Sequence, residues 1–208
     1  HNKSTSDYHE FKVAKYISIS SKNSDIINKT ISYYNSNNNK NGEELKIIIG
    51  TRILAEGVDF KCIRQLHIIE PWYNISRMEQ VIGRAIRTYS HEGLDQPNRN
   101  VEIFMYANTP SVESTGTNKE TETIDVNIYR TAEQKDVQIK KIEHILKNNA
   151  IDCGLFEYTN IIHESTIENQ ITSRGRHIKY NIKDTPYTRM CDYMKECGMK
   201  CKFSISNS

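Results

Sequence analysis

The sequence predicts an α/β fold, a doubly wound parallel sheet with flanking helices, followed by a C-terminal helical and irregular appendage. Three observations carry the prediction. Leu45-Lys46-Ile47-Ile48-Ile49 and Leu66-His67-Ile68-Ile69 are near-continuous apolar runs, as expected of strands buried on both faces of a parallel sheet. Segments with helical spacing lie between such runs. The resulting order of strand, helix, strand, strand, helix, strand is the rhythm of a doubly wound domain.

Taken in order, residues 1 to 15 show no clear periodicity, and residues 1–23 read as an edge segment holding an incomplete first strand. Tyr16-Ile17-Ser18-Ile19-Ser20 alternates like a strand. Ser24 offers an N-cap to a helix with Ile26, Ile27, Ile31 and Tyr34 on one side. Asn35 to Gly42 has the chemistry of a polar surface loop. Pro71 stops the second buried run, and Ser76-x-x-Glu79 reads as a capping box opening the next helix. Val101 to Tyr106 is a further strand, closing a domain assigned to residues 24–110. Residues 111–123 form a flexible polar loop. A long helix then runs from about Ile124 to Asn148, with Ile128, Ala132, Ile139, Ile142 and Ile145 at helical spacing, and residues 124–152 are expected to pack on the domain. Residues 153–208 form a less regular appendage.

Length and composition bound the function. The 208 residues suffice for one domain of ordinary size plus an appendage. No run of 18 apolar residues and no signal-peptide pattern occurs, so a soluble chain with no membrane partner is expected. A net charge of +2 is too mild to argue for nucleic acid by itself. Five cysteines without a secretory signature point to reduced thiols or a metal site rather than a disulfide framework. Cys191-x5-Cys197-x3-Cys201 could form a zinc knuckle with Cys153, His163 or His177 as fourth ligand, although free thiols are the favoured reading.

The chemistry concentrates in Gln80-Val81-Ile82-Gly83-Arg84-Ala85-Ile86-Arg87. Two arginines three residues apart suit a grip on the γ-phosphate of a nucleotide, because guanidinium is planar, always charged and forked. Gly83 is expected to let the backbone approach a neighbour closely. The first buried strand leads into Gly50-Thr51-Arg52-Ile53-Leu54-Ala55-Glu56-Gly57-Val58-Asp59-Phe60, at a strand end where open α/β sheets gather ligands. Thr51 can donate to a phosphate, and Asp59 can accept from a ribose hydroxyl or hold an arginine. A polar loop with a solvated Glu56 and Asp59 is the plainer alternative. Glu70-Pro71-Trp72-Tyr73-Asn74 brings the arginine helix to the same sheet edge. Trp72 reads as core packing ahead of base stacking, His67 as a hydrogen-bonded core histidine, and Arg77 as a surface or salt-bridging residue.

G-T-R-x-x-A-E-G-V-D-F followed by Q-V-I-G-R-A-I-R resembles motifs V and VI in the C-terminal RecA-like domain of superfamily 2 helicases. The words H-I-I-E-P-W-Y-N-I-S-R-M-E-Q-V-I-G-R-A-I-R-T-Y-S-H and N-N-A-I-D-C narrow the likeness. They resemble the helicase-like ATPases of large nucleocytoplasmic DNA viruses, of the African swine fever virus, giant-virus and poxvirus early-transcription-factor type. The resemblance covers about residues 24 to 153, and no segment matches the family's motif IV. It implies Arg87 as the finger on the γ-phosphate, Arg84 on the same phosphate or coupling the two domains, and Gln80 positioning the attacking water or a neighbouring side chain. Gly57 and Asp59 would face the nucleotide sugar and link it to motif VI. Gly50, Thr51 and Arg52 would contact the backbone of a DNA or RNA strand. Neither a G-x-x-x-x-G-K-[ST] loop nor a magnesium-holding acidic box occurs in the chain. The main site for ATP and Mg2+ is therefore expected on an N-terminal RecA-like domain, and this chain alone should hydrolyse ATP negligibly. The implied protein is an ATP-dependent helicase or translocase in virion and host cytoplasm. The alternative is an ATPase subunit of a viral early transcription or termination factor that binds DNA and recruits viral RNA polymerase.

Overall fold

Two parallel strand pairs, each with its crossover helix, build the part of the molecule that carries the site. The computed structural model describes residues 15–19, 24–51, 58–109, 122–156 and 166–202. In the first pair, β1 (Tyr16–Ile19) lies beside β2 (Ile47–Gly50), with Tyr16 opposite Ile47 and Ile19 opposite Gly50. Helix α1 (Ser24–Tyr34) crosses between them. Ile27 of α1 packs with Ile19, Val58 and Phe60, and Ile31, Tyr34, Ile48 and Ile63 close the cluster. Tyr34 and Phe60 meet edge to face at 5.7 Å, the geometry that ring quadrupoles favour.

The second pair sets β3 (Gln65–Ile68) parallel to β4 (Glu102–Met105), with Gln65 opposite Glu102 and Ile68 opposite Met105. Helix α2 (Ile75–Ala85) is its crossover. The α/β class with parallel strands is therefore as the sequence predicts. Among the described residues, however, the strands form two separate pairs rather than one continuous sheet. Nor are the strands buried on both faces: Ile47, Ile49, Ile103 and Met105 are 40% to 57% exposed. A strand pair covered by one helix buries alternate side chains only.

Local chemistry explains two further departures. The Asn-rich loop is not all surface, because Asn39 is buried. Its Oδ1 accepts the backbone N–H groups of Glu44 (3.1 Å) and Leu45 (2.8 Å), and its amide donates to the carbonyls of Tyr34 and Leu45. The Ser76-x-x-Glu79 capping box does not form. The backbone stays extended through Asn74, so the helix starts at Ile75 and Ser76 is already inside it.

A long helix, α3 (Ile124–Asn149), begins at Thr123, whose hydroxyl accepts the Val126 N–H at 3.4 Å. Ala132 and Asp136 are its buried residues, while Ile139, Ile142 and Ile145 are more than half exposed. The apolar stripe read from the sequence thus faces solvent along most of its length. The short α4 (Cys153–Phe156) follows, then a hairpin of β5 (Thr166–Ile171) and β6 (His177–Ile182), antiparallel with Ile171 opposite His177. The turn uses Gly175 at φ +76°, a conformation that glycine adopts without a Cβ penalty. Arg64 ties this hairpin to the second strand pair by donating to the Ile171 carbonyl at 2.5 Å and to Asn98 Oδ1 at 3.1 Å.

The cysteine reading is corrected. Cys153 bonds Cys201 and Cys191 bonds Cys197, with Cα separations of 5.6 Å and 4.8 Å inside the disulfide range. Cys62 is the free thiol among the described residues. Zinc needs thiolates, and Cys191, Cys197 and Cys201 are all committed to disulfides. His163 lies outside the described residues, and His177 opens β6. No helix among the described residues is long and apolar enough to cross a membrane.

Burial pushes the Tyr34 phenol up to about 12, from an ordinary value of 10.0. The folded value exceeds the unfolded one, so this contribution is intact below pH 10 and is lost as pH rises from 10 toward 12. Thermal midpoints measured across that window should fall less steeply in Tyr34→Phe than in the parent protein.

Candidate functional site

The loop beyond β2 and the end of α2 meet through one ion pair. Val58 and Phe60 are buried at 5% and 7%, and the residue between them, Asp59, is turned outward. Its Oδ1 contacts the Arg87 guanidinium Nη1, with both side chains substantially exposed. An arginine carries five N–H donors, so the Asp59 contact leaves several free for a phosphate.

Asn35 fixes the backbone around Asp59. Its amide donates to the Asp59 carbonyl at 2.8 Å, and its Oδ1 accepts the Lys61 N–H at 2.9 Å. The sequence reading missed this residue, which lies in an asparagine-rich run with nothing local to single it out. Removing two such bonds should cost about 1–2 kcal/mol. Asn35→Ala is therefore expected to lower the urea midpoint by a corresponding amount, and an unchanged midpoint would contradict the clamp.

Arg87 sits two residues past α2, whose C-cap is Ile86. The chain turns there, with the Ser90 N–H reaching the Arg87 carbonyl at 3.0 Å and Tyr89 at φ +63°. Two contacts stitch this turn to the segment after Asp59. The Cys62 N–H donates to the Ser90 carbonyl at 2.9 Å, and His91 Nε2–H donates to the Ile63 carbonyl at 2.6 Å. That tautomer leaves His91 Nδ1 to accept from the buried Ser90 hydroxyl at 2.8 Å. Ser90 and His91 carry no role in the sequence reading, although they are the S-H pair that closes the narrowing motif. Beside Arg87 lies an open cavity of about 410 Å3, with Tyr89, His91 and Arg99 among its lining residues.

Within α2, Met78 and Ala85 are buried at 6% and 1% and anchor one face. Gln80 and Arg84, four residues apart, share the other face. Gln80 is exposed and Arg84 half-buried. Among the described residues the close approach expected at Gly83 is absent, since a Cβ built there meets nothing within 4 Å. Gly50 closes β2 and Thr51 follows it, both exposed. Arg52 and Gly57 lie outside the described residues.

The flanking aromatic readings also shift. Trp72 is half-buried rather than core, and the Arg77 guanidinium lies 4.9 Å from its ring centroid, a cation–π pair. His67 is exposed, not core. It is hydrogen-bonded as expected, with Nδ1 2.8 Å from the Tyr106 hydroxyl, and it stacks on Phe104 at 4.7 Å.

Residues 6–89 match the helicase conserved C-terminal domain. The chain is 31% identical, over 96% of its length and 17% of the relative's, to a protein of Acanthamoeba polyphaga mimivirus named "Putative ATP-dependent RNA helicase L377". It is 34% identical to the "Putative helicase 087L" of Invertebrate iridescent virus 3, over 73% of this chain and 15% of that one. A "Termination factor NPH-I homolog" of African swine fever virus is 34% identical over 58% of this chain and 18% of its own. The chain thus spans less than a fifth of each of these relatives.

Proposed function

Because residues 6–89 are a helicase C-terminal domain, we propose that this chain is the second motor half of an ATP-dependent nucleic-acid helicase or translocase of superfamily 2. The observation that carries this reading is the Asp59–Arg87 contact, which joins the motif V loop to the motif VI turn. Arg87 is the finger. When a nucleotide held by a partner RecA-like domain reaches this edge, the guanidinium stabilises charge growing on the γ-phosphate. Arg84 binds the same phosphate or couples the domains, and Gln80 orients the attacking water or a neighbouring side chain. Asp59, with Gly57, faces the sugar and holds Arg87 in register.

Gly50, Thr51 and Arg52 track the phosphate backbone of a DNA or RNA strand. Such contacts carry no sequence information and suit a motor that moves along any strand. Mg2+ would neutralise the phosphates from the partner domain's side. Among the described residues no group of three or more His, Cys, Asp or Glu is arranged to hold a metal. The motor half comprises the described elements from β1 to β4, and α3 with the described residues after it forms its appendage. The working place proposed for it is the virion and host cytoplasm, as the motif resemblance implies.

The second reading is an ATPase subunit of a viral transcription or termination factor that recruits viral RNA polymerase. The African swine fever virus relative's name favours it. Strand displacement and nucleic-acid-stimulated ATPase, assayed together on the full-length protein, separate the two. ATP-dependent unwinding supports the helicase, and stimulated hydrolysis without unwinding supports the translocating factor. No stimulation by DNA or RNA would contradict both.

A further inference from the structure

Arg189 lies in the appendage, more than a hundred residues from the arginine motif, yet it touches the arginine helix. Its guanidinium holds Asp136 of α3 with two prongs, Nε to Oδ2 at 2.7 Å and Nη2 to Oδ1 at 3.2 Å. The remaining Nη1 contacts Glu79 of α2. Glu79 immediately precedes Gln80, and Arg84 follows one helical turn later.

Asp136 is 5% exposed and also accepts the Tyr193 hydroxyl at 2.9 Å, so the α3 end of this bridge is firmly held. The loop bearing Arg189 is itself pinned. Cys191 bonds Cys197, and the buried Asp192 receives Lys147 Nζ at 2.9 Å. Tyr187, Asp192 and Tyr193 all adopt positive φ, between +49° and +60°. Left-handed backbone is costly for such residues and persists where surrounding contacts over-determine it.

We propose that Arg189 is a positioning residue for the motor reaction: by clamping Glu79 of α2 to the buried Asp136 of α3, it sets the orientation from which Gln80, Arg84 and Arg87 act. The clamp rests on the reading of Arg87 as the finger, and it assigns the appendage a part in turnover. Asp136 and the disulfide loop fix Arg189, Arg189 fixes Glu79, and Glu79 fixes the helix end that carries the catalytic face. Arg189 meets neither nucleotide nor strand; it acts through Glu79.

The test uses the full-length protein, with steady-state ATPase measured at saturating nucleic acid for Arg189→Ala, Glu79→Ala, their double variant and Arg87→Ala. Misplaced catalytic groups cost rate more than binding, so Arg189→Ala and Glu79→Ala should each lower kcat roughly 10- to 100-fold with KM for ATP little changed. The double variant should be no slower than the slower single, because both remove one contact. Arg189→Lys, which keeps the charge but not the fork, should recover only part of the rate. If Arg189→Ala does not fold, Glu79→Ala reads the same contact from a side chain that is 41% exposed. Wild-type kcat in Glu79→Ala, or additive losses in the double variant, overturns the clamp and leaves the finger standing if Arg87→Ala is inactive. Full turnover in Arg87→Ala overturns the finger and the clamp together.

Discussion

Replacing Arg87 with alanine in the full-length protein is expected to abolish ATP turnover, by roughly 10³–10⁵ in kcat, the range for an arginine finger. ATP binding should remain largely intact. The asymmetry follows from where the arginine sits. It lies past the end of α2 and is held by Asp59, while most nucleotide contacts belong to the partner domain in this account. Removing it deletes an interaction that strengthens as charge develops, which lowers kcat rather than raising KM. Arg87→Lys should fall between alanine and wild type, because lysine keeps a charge and loses the fork that can serve Asp59 and a phosphate together. Equal rates in Arg87→Ala and wild type, measured at saturating ATP and nucleic acid, would remove the finger from the mechanism.

Loss of the Cys153–Cys201 disulfide should be the largest stability effect. The bond closes a loop of 48 residues, and loop-closure entropy for that length corresponds to about 4 kcal/mol. The six-residue Cys191–Cys197 loop should be worth about 2 kcal/mol on the same scale. The longer bridge also brings the tail onto the end of α3, where Asn148 accepts the N–H groups of Lys200 and Lys202, each at 3.0 Å. Native-state hydrogen exchange of the α3 amides is the suitable measurement, because it reads the opening of one region within a larger protein. A Cys153→Ala, Cys201→Ala double variant should open these amides by about 4 kcal/mol more readily, and the reduced parent protein should behave similarly. A shift below about 1 kcal/mol would show that tertiary contacts, not the cross-link, hold the tail.

Much of the first half was legible because its signals are local. Apolar runs marked β2 and β3, and Ile27, Ile31 and Tyr34 lie on the packed face of α1 as their spacing predicts, while Ile26, read on the same side, is 51% exposed. The resemblance implied that Asp59 links the nucleotide sugar to the arginine motif, and its side chain meets Arg87 of that motif. What escaped depends on contacts distant in sequence. Cys153 and Cys201 look like ordinary thiols until the fold brings their Cα atoms to 5.6 Å. The β5–β6 hairpin alternates weakly, T-I-E-N-Q-I against H-I-K-Y-N-I, because most of its side chains stay in solvent. Its one clear signal was the glycine of T-S-R-G. Ser76 satisfies the capping pattern by spacing alone, but a cap also needs extended backbone, and that falls at Asn74. Arg189 could not be singled out, since both carboxylates it binds lie on helices more than 50 residues away.

Arg87 is expected to reach a phosphate bound mainly by another domain. A structure of the full-length protein with ADP and aluminium fluoride, a mimic of the γ-phosphoryl group in flight, tests that directly. The Arg87 guanidinium should lie at hydrogen-bonding distance from the fluoride, roughly 3 Å, with Asp59 still on its other donors. A closed nucleotide site with Arg87 turned to solvent and the fluoride met only by groups of the partner domain would contradict it.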